Sequence, residues 1–185
     1  MNSPGRKPDG PMATFETSAV WEQGKEGTVR ARGNPVLAVA APPEFGGPQG
    51  MWCPEDLLVA SVGGCLMSTF LYFAERFSIP IEGYSSTSRG TIGKTADGLR
   101  FTGLDVAIRV TIADGAARER AASLRLQEKL EKYCPVSAAL NCPVRLDLSI
   151  LPPTGSERTE GTPNRAEEGR AHPRPRVDAP ERQWP

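Results

Sequence analysis

The chain has almost no histidine, no excess charge of either sign and few aromatic residues. Its 185 residues balance 22 Lys and Arg against 22 Asp and Glu. Nothing in that balance favours a nucleic-acid backbone or an anionic membrane surface as the main partner. The single histidine, His172, and the absence of any Cys-x-x-Cys pair leave none of the usual zinc spacings, so neither metal nor cofactor is expected. The opening MNSPGRKPDGPMAT contains no apolar stretch, which argues against a secretory signal and for a cytoplasmic protein. One uncharged run, Leu57 to Ala74, falls short of the roughly 20 residues that a bilayer needs. It also carries Gly63-Gly64, Ser61, Ser68 and Thr69. It reads as a buried core helix rather than a membrane span.

What is there is thiol. Four cysteines in an unsecreted chain are expected to stay reduced unless chemistry involves them. Cys65 lies inside the uncharged run, and Cys134 heads the segment Cys134-Pro135-Val136-Ser137 after an amphipathic stretch. A buried thiol far along the chain from a second thiol at a helix start suits a peroxide-reducing cysteine and its resolving partner.

The chain divides into three parts. Residues 1–12 are rich in Pro, Gly and charge, and are expected to be disordered. Residues 152–185 form a Pro/Arg/Glu-rich tail with almost no large apolar side chains, also expected to be disordered. Between them, 13–151 read as one α+β domain. Strands are expected over Phe15–Trp21 and Gly27–Arg32 around a turn, then Val36–Ala40. Cys53-Pro54-Glu55-Asp56 opens the uncharged helix, with Pro54 at the first helical position and two acids complementing the dipole. Because that helix lacks charge all round, every side of it must be covered.

Pro80 closes the helix. Glu82–Ile92 and Arg100–Ile112 then pair around Asp97-Gly98, the second strand alternating without a fault through Leu104, Val106, Ile108, Val110 and Ile112. Asp114 caps a helix expected over Ala116–Tyr133, with Ala122, Leu126, Leu130 and Tyr133 on one stripe. Cys134-Pro135 starts a further helical turn, and Val144, Leu146, Leu148 and Ile150 make a last strand.

Each candidate residue has a plain reading beside the chemical one. Cys65 is either a small buried hydrophobe or a reactive sulfur. The neighbouring Gly63-Gly64 costs a helix roughly 1 kcal/mol per glycine, so close approach of another backbone or open access to the sulfur must offset it. Cys134 either caps a turn or feels the positive end of a helix dipole, which favours thiolate. Cys53 and Cys142 are read as incidental, although four cysteines permit three full pairings. Glu55 is a first-turn carboxylate, or it orients a cation beside the reactive sulfur. Ten residues of continuous helix would hold Glu55 about 15 Å from Cys65. Serving one site therefore requires a broken helix or a second subunit.

Pro54-Glu55-Asp56-Leu57-Leu58, Gly63-Gly64-Cys65 and Cys134-Pro135-Val136-Ser137 together resemble the OsmC/Ohr family of organic hydroperoxide reductases. The resemblance spans essentially the whole folded region. It implies an OsmC-like fold, with antiparallel sheets wrapped around a central buried helix in an intertwined homodimer. It implies that Cys65 attacks an organic hydroperoxide, that Cys134 closes a disulfide with it, that Glu55 organises the site, and that a dithiol reductant of lipoyl type restores both thiols. Family members commonly place an arginine in the first hairpin. Here Lys25 is nearest, and Arg30 and Arg32 follow on the next strand. Lysine lacks the planar fork that holds carboxylate and thiolate together. Two other readings stay open: a protein of this fold that binds an apolar ligand at the dimer interface with weak or no peroxidase activity, and a redox sensor acting through the tail.

Overall fold

Strict alternation along one strand builds the centre of the molecule. The computed structural model describes residues 13–153; the expectations for residues 1–12 and for the tail beyond 153 lie outside the described residues. Strand β5 (Gly98–Thr111) turns Leu104, Val106, Ile108 and Val110 inward, and each is almost fully buried. It pairs antiparallel with β4 (Gly83–Thr95) through the expected Asp97-Gly98 turn. The outward positions carry charge, with Arg89 opposite Asp105 and an Asp105–Arg145 ion pair at 2.9 Å.

The third strand of this sheet, β6 (Val144–Leu151), runs parallel to β5, whereas antiparallel sheets were expected throughout. The reason is the connection. A parallel neighbour needs a crossover, and here three helices supply it. A second sheet, antiparallel in the order β1 (Thr17–Gln23), β2 (Glu26–Ala31), β3 (Leu37–Ala40), is formed by the N-terminal hairpin and its follower. A single 3-10 turn (Pro43–Phe45) follows it, and the Lys25 ammonium donates to the Phe45 carbonyl.

Helix α1 (Pro54–Arg76) starts where Cys53-Pro54 predicts, and Cys53 is its N-cap. It is long and apolar enough to cross a membrane by length and composition. Instead Val62, Leu66, Phe70, Phe73 and Ala74 pack against β5 as the core helix of the fold. Full coverage of the helix is corrected: Met67 and Leu71 are 40% exposed and Tyr72 is 61% exposed. Among the described residues one sheet packs against α1, and the side carrying Met67 and Leu71 is left uncovered.

The expected helix over Ala116–Tyr133 is also corrected. It is two helices, α2 (Gly115–Ser123) and α3 (Leu126–Tyr133), separated at Arg125, whose φ of 49° is left-handed. Ala117 and Ala121 are the buried side of α2. At about 100° per residue, an unbroken helix would swing Leu126 and Leu130 roughly 180° away from them. The break returns both leucines to the core, where they are 3% and 0% exposed, and leaves Ala122 in solvent. Asp114 caps α2 as expected, accepting from the Ala116 and Ala117 amides. Helix α4 (Pro135–Ala138) is one turn, capped by Cys134.

Candidate active site

The two chemistry-bearing thiols, separated by half of the domain in sequence, come together where α1 meets α4. Cys134 is fully buried in the core cluster, and Cys65 packs against the same cluster with part of its surface exposed. Cys134 stands near enough to Cys65 to act on its thiol. Burial, and then this nearby thiol, push the Cys65 pKa up from its ordinary value.

Two groups act the other way. The Val136 amide in the first turn of α4 and the Thr69 hydroxyl both favour the Cys65 thiolate. The Thr69 contribution is limited, because its single proton is donated to the Cys65 carbonyl at 2.9 Å. Val136 is the steadier donor. The start of the short helix therefore serves the sulfur across from it as well as its own cap residue, whose sulfur accepts from the Ser137 amide at 3.5 Å.

Cys65, Ser68, Thr69 and Tyr72 follow one another at helical spacing and line a cleft of about 580 Å³. Phe73, Tyr133 and Pro135 complete the wall. None of the lining residues is basic. Lys25 is engaged on Phe45, and Arg30 and Arg32 lie exposed at and beyond the end of β2. These surroundings of Cys65 escaped the sequence reading, although the i+4 and i+7 positions on α1 were there to be counted.

Glu55 stands elsewhere. Helix α1 runs unbroken through both residues, so the roughly 15 Å of axial separation holds. Glu55 lines a different cleft, of about 570 Å³, which it shares with Asp56 and Arg89 and which has no lining residue in common with the first. Its Oε2 is buried and has no hydrogen-bond partner among the described residues. Arg89 was not singled out from sequence; its β4 position gave no sign that it would line the Glu55 cleft.

The two glycines before Cys65 divide their work. A Cβ on Gly63 would stand 2.8 Å from Ser88 Oγ, so that glycine admits β4 against the helix. A Cβ on Gly64 would meet nothing within 4 Å. Cys53 accepts from the Asp56 amide at 3.3 Å, and burial pushes its pKa up. Cys142 is half-buried at the edge of the core.

Solved structures of the same fold and one family model match this chain. A structure of an OsmC-like protein of unknown function from Vibrio cholerae superposes with a TM-score of 0.69 at 16% identity, covering 75% of this chain and all of that one. One from Legionella pneumophila, described as an organic hydroperoxide resistance protein OsmC, gives 0.60 at 27% identity over 76% of this chain and 98% of its own. A third, an organic hydroperoxide resistance protein from Elizabethkingia anophelis, gives 0.61 at 21% identity over 77% and 98%. No curated protein matches the chain. The family model for OsmC-like proteins matches residues 47–149, a segment that takes in α1 with Cys65, the whole β4–β5–β6 sheet but its last two residues, and the Cys134 turn. More than half of the chain lies within that match, and the protein belongs to the OsmC-like family.

Proposed function

We propose that this chain is a thiol-dependent peroxidase that reduces organic hydroperoxides, working as a cytoplasmic homodimer. One observation carries the reading: Cys65 lines an apolar cleft and packs against the same core cluster as Cys134, which is near enough to act on its thiol. The 27%-identical Legionella relative, described as an organic hydroperoxide resistance protein, supports it.

The Cys65 thiolate attacks one peroxide oxygen, the O–O bond breaks, and the alcohol leaves after taking a proton. Cys65 is then a sulfenic acid. Cys134 attacks that sulfur, forming a disulfide and releasing water. A dithiol, small or protein-bound and of lipoyl type, reduces the disulfide and is itself oxidised to one.

The homodimer rests on surfaces left bare within the chain. No residue of β1, β2 or β3 belongs to the core cluster, and Trp21 on β1 is 74% exposed. On α1, the uncovered side carries Ala60, Gly64, Met67 and Leu71 at helical spacing, small residues first. A second copy seated there buries both surfaces. It also carries Glu55 of the partner subunit toward a Cys65 that its own Glu55 does not reach.

A second reading is that the cleft holds an apolar ligand without turnover. The lack of any basic lining residue and the raised Cys65 thiol favour it. Single-turnover mass spectrometry of the reduced protein with cumene hydroperoxide and with hydrogen peroxide decides between them. Fast Cys65–Cys134 disulfide formation, faster with the organic peroxide, is expected. Slow oxidation spread over all four cysteines sinks the peroxidase reading.

A further inference from the structure

The chain is poor in aromatics, yet two of its three tyrosines stand at the rim of the Cys65 cleft. Tyr72 comes from α1 and Tyr133 from the end of α3, and Phe73 lies between them. The Phe73 ring meets Tyr72 edge-on at 5.2 Å and Tyr133 at 5.6 Å with a 59° tilt. Behind it, Phe73 stacks on Phe77 at 5.9 Å. The three rim rings thus form a continuous wall. Phe73 is buried, whereas Tyr72 and Tyr133 are 61% and 55% exposed.

The rest of the cleft is quiet. Ser68 and Thr69 donate their hydroxyl protons to the Gly64 and Cys65 carbonyls. A molecule entering the cleft therefore meets the Cys65 sulfur and the rings of Tyr72, Phe73 and Tyr133, the last of which also carries the Lys132 ammonium 5.3 Å from its centre. A cavity of about 150 Å³ takes up benzene, so the roughly 580 Å³ here holds an aryl group and a peroxide together.

We propose that Tyr72 and Tyr133 form an aryl-selective subsite, so that this chain prefers hydroperoxides bearing an aromatic ring over linear alkyl ones of equal carbon count. The proposal rests on the peroxidase reading for the identity of the reacting group, but not for the binding. A flexible alkyl chain gains from this wall only in proportion to the area it buries. An aromatic ring gains in addition the offset and edge-to-face contacts that these rings offer. It also gives up less internal freedom on binding than an alkyl chain.

Binding is measured on the full chain carrying Cys65→Ser, which cannot turn over. Isothermal titration compares 2-phenyl-2-propanol, the alcohol product of cumene hydroperoxide, with 1-nonanol, which has the same number of carbons and a larger apolar surface. The aryl alcohol is expected to bind more tightly. Tyr72→Leu and Tyr133→Leu each weaken it about two- to tenfold and leave nonanol unchanged, whereas Tyr72→Phe retains the preference. Size-exclusion chromatography is run on every variant. Nonanol binding as well as the aryl alcohol, equal weakening of both ligands, or a change of oligomeric state in the leucine variants overturns the subsite. Should the aryl preference hold while cumene hydroperoxide is not reduced by the unmodified chain, the reaction fails and the subsite stands.

Discussion

Burial, and then the nearby Cys134, move the Cys65 thiol up from its ordinary value. An ordinary thiol near 8.5 is only about 3% thiolate at pH 7, and Cys65 is less so. Only the thiolate reacts, so alkylation of Cys65 by iodoacetamide is expected to climb about tenfold per pH unit from pH 6 to 7.5 and to bend over at a higher pH than an ordinary thiol does. The assay follows the Cys65 peptide by mass spectrometry in the reduced protein. An ordinary thiol near 8.5 bends over earlier and serves as the internal scale. Cys134→Ser removes the second-largest cause of the upward shift, so its curve must slide to lower pH. The folding linkage has the same sign. The native state holds this proton more tightly than the unfolded chain, so the stability it contributes is complete below the unfolded pKa. It is lost as pH rises through the folded one. A Cys65 plateau below pH 8 would refute the argument, because it would require a cation beside the sulfur, and none of the residues lining its cleft is basic.

Three further outcomes follow from the packing. Gly64→Ala adds roughly 1 kcal/mol of helix propensity at a position open within the chain, whereas Gly64→Leu places bulk on the proposed seam. Analytical ultracentrifugation is expected to show the leucine variant as monomer, and a leucine dimer as stable as the parent's refutes that seam. Arg125→Gly relieves a left-handed residue, so thermal unfolding should show no loss or a small gain. In a continuous helix the same change costs about 1 kcal/mol, so a clear loss would mean that α2 and α3 are one helix. Phe70→Ala empties a fully buried position between α1 and the sheet, and chemical denaturation should register a loss of about 3–5 kcal/mol.

Local rules carried a good part of the fold. Proline at the first helical position, two acids behind it and a long uncharged run marked the start of α1. Period-two alternation marked β5, where each inward residue is buried by the same face of the sheet. These signals are readable because neighbours in sequence create them. The break at Arg125 was not readable in that way. No glycine or proline interrupts the stretch, and the residues favour helix. What forces the left-handed turn is the need to point Ala117, Ala121, Leu126 and Leu130 at one core, a tertiary demand that overrides propensity. The parallel placement of β6 likewise depends on where the three-helix crossover returns the chain, which its alternating residues do not encode.

The site divides along the same line. Cys65 and Cys134 stood out by their settings, one in an apolar run and one at the start of a helical turn, and both pack against one core cluster. Tyr72 and Tyr133 did not stand out, because two tyrosines 61 residues apart join only when α3 is swung onto α1 by the Arg125 break. Glu55 is the instructive case. Its motif neighbours and its spacing to Cys65 were visible, but so was the geometry that keeps them apart: an unbroken α-helix advances about 1.5 Å per residue, and ten residues are not bridged by any side chain. The bare β1–β2–β3 sheet, the exposed Ala60–Leu71 side of α1 and a Glu55 oxygen with no partner among the described residues all lie within one chain. In the proposed homodimer, covering the first two with a second copy and giving the third a partner are one event, so a variant that keeps the chain monomeric is expected to lose the proposed peroxide reactivity without unfolding the β4–β5–β6 core.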